Sequence, residues 1–271
     1  MTTPAMNFIE ANGVSLRYAV EGQNKGHGKP LVLIHEMGGT LESWGLLAPL
    51  LSGKRRVVRY DTRGAGFSEK IRGPLKVDTM TDDLIGLLDR LGIKEKVSLV
   101  GTAVGGAIAL HTAYRHPGRI AAAIVTSPAT SIPPANRDAV LARVARFEAD
   151  GVRVVADETA ANGYPEELRT DRARFEGFRA RWLANDPGSF AAIYRMLANM
   201  DLAPELPQIK CPVLVIAGEF DRGRPPSRVE PVAQAIPGAT FKVLPVGHYA
   251  GLQKPELMAE EIAGFLDRVG A

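Results

Sequence analysis

Residues 97–106 read Val-Ser-Leu-Val-Gly-Thr-Ala-Val-Gly-Gly, and this stretch decides the fold. The apolar run at 97–101 is typical of a strand buried on both faces, and residues 104–116 have the apolar spacing of a helix. A strand that passes through a glycine-flanked turn into a helix lifts the central side chain, here Ala103, above the sheet. A serine in such a turn is a nucleophile, whereas the methyl group of Ala103 cannot attack a substrate.

Short apolar or β-branched runs alternate with helical segments along most of the chain. They predict buried strands at residues 31–34, 56–60, 97–101, 121–125, 213–217 and 241–244, and helices at 41–51, 79–91, 104–116, 227–235 and 255–269. Residues 8–10 and 15–19 flank Asn12-Gly13, the dipeptide of a tight hairpin, and predict two antiparallel edge strands. The predicted fold class is therefore α/β, with a doubly wound, mostly parallel sheet of eight strands and helices on both faces.

The alternation stops between residues 131 and 203. Helical spacing at 137–150, 152–161, 171–183 and 189–200 predicts an all-helical insertion between two strands. Since ligands bind at the carboxyl ends of the strands in such sheets, the insertion is expected to form a cap over that edge. The predicted domains are a core of residues 1–130 and 204–271 and a cap of residues 131–203.

Composition narrows the class of protein. The chain has 271 residues with 45% hydrophobic and 23% charged residues, which fits one globular unit with an insertion. The net charge of +3 is carried by interspersed charges without a basic stripe, so we expect no nucleic-acid partner. The sequence has no apolar run of membrane-spanning length and no signal-like segment at residues 1–5, which favours a cytoplasmic protein. One cysteine excludes an internal disulfide, and no His/Cys spacing indicates a metal; no cofactor is expected.

Five motifs in the same order resemble those of the α/β-hydrolase-fold superfamily. His35-Glu-Met-Gly-Gly39 resembles its oxyanion loop, and Asp61-Thr-Arg-Gly-Ala-Gly-Phe-Ser68 resembles its Asp-x-Arg-Gly-x-Gly-x-Ser turn. Residues 101–106 resemble its nucleophile elbow with alanine in place of serine, while residues 218–221 and 247–248 resemble its acid and histidine loops. Within the superfamily, the chain is most similar to small esterases and 3-oxoadipate enol-lactonase-like hydrolases.

The resemblance implies roles for particular residues. Asp221 would accept a hydrogen bond from His248, which would act as an acid and base, and Ala103 holds the nucleophile position. Met37 and Val104 would offer backbone N–H groups to an oxyanion. Glu36 replaces the usual glycine after His35: facing the cavity it would be a second acid or base, and facing away it would be a tolerated loop residue.

A capped pocket of this kind needs walls, and the insertion and one tryptophan of the core, Trp44, offer candidates. Aromatic, methionine and arginine side chains are expected to contact a small-molecule substrate, the arginines through a substrate carboxylate; they are Trp44, Trp182, Tyr194, Met200, Arg143 and Arg195. A monomer or a homodimer is expected.

Three interpretations of Ala103 remain open. The chain is a serine hydrolase whose serine was replaced, so that Ala103→Ser would restore hydrolysis. Alternatively, it is a natural enzyme that uses His248 and Asp221 without a covalent intermediate, either to activate water or as a cofactor-independent lyase or decarboxylase of a β-keto acid. In the third interpretation it is a non-catalytic small-molecule-binding protein. The complete His–Asp pair favours an enzyme that is a hydrolase by descent and acts on a small enol-lactone, ester or oxo-acid.

Overall fold

A computed structural model describes residues 7–22 and 28–271. The N-terminal residues 1–5, considered above for a signal segment, lie outside these ranges. Within the described part of the chain, no helix is long and apolar enough to cross a membrane.

The predicted eight-stranded sheet is confirmed. The strands are β1 (Asn7–Ala11), β2 (Val14–Glu21), β3 (Leu31–Ile34), β4 (Val57–Tyr60), β5 (Val97–Thr102), β6 (Ile120–Thr126), β7 (Val213–Gly218) and β8 (Thr240–Leu244). Their order across the sheet is β1-β2-β4-β3-β5-β6-β7-β8, with β1 and β2 antiparallel and the other six parallel. The antiparallel hairpin at one edge turns at Asn12 and Gly13, both at positive φ, as the dipeptide indicates.

Helices cover both faces of the sheet. The core helices are α1 (Leu47–Leu51), α2 (Val77–Arg90), α3 (Val104–Arg115), α8 (Pro226–Ala235), α9 (Ala250–Gln253) and α10 (Pro255–Val269). One buried cluster joins the sheet to α2, α3 and α8, and a second joins the opposite face to α1 and α10. The central strands β3 to β6 are apolar along nearly their whole length because both of their faces are buried in this way.

Between β6 and β7 the described chain forms only helices and 3-10 turns, apart from one isolated bridge between Ser131 and Asp201. We call residues 131–203 the helical insertion; its helices are α4 (Arg137–Asp150), α5 (Ala156–Gly163), α6 (Arg172–Leu183) and α7 (Pro187–Asn199). The insertion has an apolar cluster of its own, rich in aromatic rings, which also includes Tyr249 and Leu252 from the core. This shared packing attaches the insertion to the loop that follows β8.

Two predicted helices are interrupted. The helix expected at residues 41–51 is a 3-10 turn at Leu41–Trp44 followed by the short α1, because Gly45 ends the first turn. The helix expected at residues 152–161 begins as a 3-10 turn at Val152–Val155 before α5 starts. Apolar spacing alone does not distinguish a continuous helix from two short turns on the same buried face.

Candidate active site

The candidate site lies at the carboxyl edge of the parallel strands. In the register of the sheet, Ile34 pairs with Gly101, and Thr102 pairs with Thr126. Gly218 pairs with Leu244 in the same way. Since these strands run in one direction and end at one level, the loops that follow β3, β5, β7 and β8 meet above the sheet.

The turn between β5 and α3 is held by its backbone. Ala103 has φ +52° and ψ −111°, a conformation that side-chain-bearing residues rarely adopt, and its N–H donates to Thr126 O at 3.0 Å. A Cβ on Gly101 would lie 2.2 Å from Gly105 O, and one on Gly105 would lie 2.2 Å from Ile34 O. Both glycines are therefore required for the close approach of α3 to the sheet, and they fix residue 103 at the apex.

The loops after β7 and β8 bring an acid and a histidine together. His248 Nδ1 donates to Asp221 Oδ2 at 2.6 Å, and Asp221 Oδ1 accepts the Arg224 N–H at 2.9 Å. Burial by itself would raise the pKa of the Asp221 carboxyl, but the charge and hydrogen bond of His248 and the Arg224 N–H hold it below its ordinary value. An ionised Asp221 keeps the proton of His248 on Nδ1, which leaves Nε2 free to act as a base.

The helical insertion positions both of these loops. Gly163, the last residue of α5, accepts the His248 N–H at 2.8 Å, and Asn162 O accepts the Arg222 N–H at 3.0 Å. The Gln253 side chain joins the same region, because its Nε2 donates to Gly163 O and its Oε1 accepts from the Gly247 N–H. The orientation of His248 therefore depends on the insertion as well as on the core.

The loop after β3 is braced by His35. The Thr62 N–H donates to His35 Nε2 at 3.0 Å, so the ring proton is on Nδ1, which donates to Glu36 O at 2.7 Å. From the insertion, Asn185 Nδ2 donates to Gly38 O at 3.0 Å. These contacts on both sides of residue 37 hold the Met37 backbone beside the turn that carries Ala103.

A cavity of about 340 Å³ lies between these loops and the insertion. Its base includes Met37, Ala103, Val104 and His248, and its walls include Arg143, Trp182, Tyr194, Tyr249, Arg224 and Arg228. Val104 is the first residue of α3, where a backbone N–H has no partner within the helix. The structure thus brings Ala103, the His248–Asp221 pair and two backbone amides to one small cavity.

Glu36 does not face this cavity, contrary to the first of the two orientations considered for it. Its side chain is 4% exposed, accepts a hydrogen bond from Ser43 Oγ at 2.8 Å, and borders a separate void of about 10 Å³ that Trp44 and Thr102 also line. The carboxylate is turned beneath the loop towards Ser43. Side-chain direction at a loop residue cannot be read from sequence spacing.

Three expected wall residues also lie outside the cavity. Trp44 packs in the buried cluster beneath α1 and α10, and Met200 packs in the cluster on the opposite face of the sheet. Arg195 is on the surface of α7, where it forms an ion pair with Glu148 at 2.8 Å. Their expected substrate contacts are corrected accordingly, while Trp182, Tyr194 and Arg143 do line the cavity.

Several cavity residues were not singled out from the sequence. Arg224 and Arg228 follow Asp221 closely in the chain, and Tyr249 follows His248, so proximity to a motif was a usable signal for each. Asn162 and Gly163 contribute through backbone carbonyls, which leave no signal in residue type. In the described residues, no cluster of three His, Cys, Asp or Glu side chains is arranged to hold a metal ion.

The fold and the site together define an α/β-hydrolase. Residues 28–248 match the family described as "Serine aminopeptidase, S33", and the chain belongs to that family. A similar curated protein is the 3-oxoadipate enol-lactonase 2 of Acinetobacter baylyi, which is 28% identical over 270 residues, or 98% of this chain and 99% of that protein.

Solved structures give the same result. The enol-lactonase of Burkholderia xenovorans superposes with a TM-score of 0.90 at 28% identity, over 96% of this chain and all of that chain. A thermophilic esterase of Thermogutta terrifontis, solved with malate bound, superposes with a TM-score of 0.90 at 27% identity, over 98% of this chain and all of that chain. The chain is therefore a member of a hydrolase family and is similar to enol-lactonases and esterases.

Proposed function

We propose that this protein is an enzyme that acts on a small ester, enol-lactone or oxo-acid without forming a covalent intermediate, and that His248 and Asp221 perform the acid–base chemistry. The observation that carries the proposal is the 2.6 Å contact between His248 Nδ1 and Asp221 Oδ2 in the same cavity as Ala103. Related proteins named as an enol-lactonase and an esterase, one of them with malate bound, support a small acyl compound as the substrate.

In this proposal Ala103 occupies the position of the nucleophile. Its strained turn between β5 and α3 is the geometry that presents a nucleophilic side chain to a substrate, yet the side chain is a methyl group. Neither neighbouring hydroxyl replaces it, because Thr102 and Ser127 are not among the residues that line the cavity. The Thr159 hydroxyl does line the cavity, but it accepts a hydrogen bond from Arg143 Nη2 at 3.0 Å.

Water takes the role of the nucleophile. His248 Nε2 accepts a proton from a water molecule in the space above Ala103, and the water oxygen forms a bond to the substrate carbonyl carbon. The carbonyl electron pair moves to oxygen to give a tetrahedral oxyanion. Collapse of that oxyanion breaks the bond to the leaving alkoxide or enolate, which takes the proton from His248. Asp221 remains ionised throughout and stabilises the imidazolium.

The Met37 and Val104 backbone N–H groups stabilise the oxyanion in this scheme. Removing one such donor from a serine hydrolase costs about 3 to 4 kcal/mol of transition-state stabilisation. These donors belong to the backbone and do not depend on the side chain at position 103. We further propose that residues 131–203 act as a cap domain, since Trp182 and Tyr194 close the cavity and Gly163 holds His248.

Turnover by the unaltered chain and by two variants tests the proposal. 4-Nitrophenyl acetate and a panel of β-keto acids are assayed with the chain, with Ala103→Ser and with His248→Gln. Glu219→Gln, an exposed carboxylate on the same loop as Asp221, is the matched control. We expect slow turnover by the Ala103 protein that His248→Gln abolishes and the control retains. Ala103→Ser should raise ester hydrolysis by about 100-fold or more, because it restores covalent catalysis.

The outcomes separate the three interpretations of Ala103. Hydrolysis that occurs only in Ala103→Ser contradicts non-covalent catalysis and indicates a missing nucleophile. Decarboxylation of a β-keto acid that depends on His248 assigns the same pair to enolate chemistry instead of water activation. Saturable ligand binding without turnover by the unaltered chain or by Ala103→Ser would identify a binding protein and refute an enzymatic function.

A further inference from the structure

Arg224 is a partly buried arginine of the cavity wall, whereas Arg228, on the same wall, is exposed. Arg224 lies three residues after Asp221. Its Nη1 donates to Pro128 O at 3.1 Å. Among the described residues, no carboxylate oxygen lies within 4.0 Å of its guanidinium group. A cation that faces a cavity with only a carbonyl partner retains several unused donors.

Three other arginines of the insertion and the acid loop are paired with carboxylates. Arg143 Nη1 donates to Glu158 at 2.9 Å, Arg179 contacts Asp157 at 3.1 Å, and Arg222 contacts Glu167 at 3.5 Å. Within the described part of the chain, Arg224 and Arg228 line the cavity without a carboxylate partner, and of these two only Arg224 is partly buried, since Arg228 is exposed.

The cavity as a whole has an excess of positive charge. Its lining contains three arginines, of which Arg143 is paired with Glu158, so the charges of Arg224 and Arg228 stand against the one lining carboxylate, Asp221. Both oxygens of that carboxylate are already engaged, one by His248 Nδ1 and the other by the Arg224 N–H. Burial, followed by the charge of Arg228, lowers the pKa of the Arg224 guanidinium to about 10, and the charge of Asp221 offsets only part of this effect.

We propose that Arg224 is the anchor for a carboxylate on the substrate, so that the substrate of this site is a small acyl compound carrying a free carboxylate. The reaction of such a substrate rests on the proposed function, whereas its binding to Arg224 does not. A guanidinium and a carboxylate match in plane and in charge, and two parallel N–H···O bonds fix orientation as well as position. Because Arg224 and Asp221 are on one loop, the substrate anion and the histidine are positioned by the same short segment.

A matched pair of small ligands tests the anchor independently of turnover. Binding of 4-oxopentanoate and of its neutral amide, 4-oxopentanamide, is measured by calorimetry with the unaltered chain, Arg224→Gln, Arg224→Lys and Arg222→Gln. Arg222 is an exposed arginine two residues away and serves as the control. We expect the unaltered chain to bind the anion more tightly than the amide, and Arg224→Gln to lose about 10- to 100-fold in affinity for the anion alone. Arg224→Lys should retain part of the preference, and Arg222→Gln should retain all of it.

An unchanged ratio of anion to amide affinity in a folded Arg224→Gln variant overturns the inference, as does the absence of saturable 4-oxopentanoate binding to the unaltered chain. A lower melting temperature of Arg224→Gln with the ratio preserved would mean that the side chain only supports Pro128. The two proposals fail separately. Anion binding that requires Arg224 without any His248-dependent turnover refutes the reaction and leaves the anchor, whereas turnover of neutral and anionic substrates at equal rates refutes the anchor.

Discussion

The turn that carries Ala103 and the pair formed by Asp221 and His248 are two parts of one site that are built in different ways. The turn consists of backbone: a positive φ at residue 103, glycines on both sides and a helix N-terminus. The acid–histidine pair consists of side chains, held by one 2.6 Å hydrogen bond and by backbone contacts to the insertion. In the proposed function, the turn has the geometry that presents a nucleophile beside the acid–histidine pair, but the side chain at its apex is a methyl group.

Because the turn is built from backbone and the acid–histidine pair from side chains, the two respond differently to substitution. A backbone turn survives a change of side chain, so the Met37 and Val104 backbone N–H groups proposed as oxyanion donors do not depend on the side chain at residue 103. The acid–histidine pair has no such independence, since its function depends on the charge of one carboxylate. Substitutions in the pair should change chemistry with little change in fold, and substitutions of the turn glycines should do the opposite.

The largest effect is expected from Asp221→Asn. The amide cannot stabilise a protonated His248 as a carboxylate does, so turnover should fall by about 10²- to 10⁴-fold, the range of general acid–base catalysis. Steady-state kinetics on whichever compound of the assay panel the unaltered chain turns over measures this loss, and Glu219→Gln is the control on the same loop. A loss smaller than threefold would mean that the pair is not catalytic.

The pH dependence of stability in the same variant, Asp221→Asn, tests the lowered pKa of Asp221. The pKa of Asp221 is lower in the folded state than in the unfolded state, where it is about 3.9. Its ionised form therefore stabilises the fold at pH values above the unfolded pKa, and this stability is lost as the pH falls through the folded pKa. Urea unfolding at pH 7 and pH 3 should therefore show a smaller acid destabilisation for Asp221→Asn than for the unaltered chain. An equal loss of unfolding free energy between pH 7 and pH 3 in both proteins would contradict the lowered pKa of Asp221.

Gly105→Ala should have the next largest effect, on stability. The new Cβ would lie 2.2 Å from Ile34 O and 2.6 Å from His35 O, so α3 must move away from the sheet. We expect the free energy of unfolding to fall by about 3 kcal/mol, at the upper end for overpacking. Chemical denaturation measures it, with Gly118→Ala as the control because no atom lies within 4 Å of its added Cβ. Equal stability of the two variants would refute the close approach.

Ala103→Gly should have a smaller effect of the opposite sign. Glycine adopts φ +52°, ψ −111° without strain, and relief of strain outweighs the greater freedom of the unfolded chain, so we expect about 1 kcal/mol of added stability. The same change at Ala107, inside α3 and fully buried, should destabilise by about 1 kcal/mol or more. Destabilisation by both substitutions, measured by thermal unfolding, would argue against strain at residue 103.

The smallest effect is expected for Glu36→Gln. The side chain borders the separate void and accepts a hydrogen bond from Ser43, which the amide oxygen of glutamine can also accept. Turnover should therefore change by less than about threefold, since neither cavity charge nor the acid–base pair is altered. A loss comparable to that of Asp221→Asn would show that Glu36 takes part in the reaction despite its orientation.

Sequence patterns determined the sheet and the order of the chemical motifs. Apolar runs such as residues 31–34 and 213–217 predicted strands because burial on both faces requires apolar residues, and a turn between glycines marked residue 103. The partnership of Asp221 and His248 followed from resemblance. These features could be predicted because they depend on residue type at fixed positions along the chain.

Only the tertiary structure decided which side chains face the cavity. Glu36, Trp44 and Met200 have suitable chemistry but are directed into other packing, whereas Arg224 faces the cavity without a carboxylate partner among the described residues. Gly163 acts through a carbonyl group that every residue possesses. The direction of a loop side chain and the choice of a backbone acceptor depend on tertiary contacts. Local sequence patterns do not specify those contacts, because they form only when the folded chain packs.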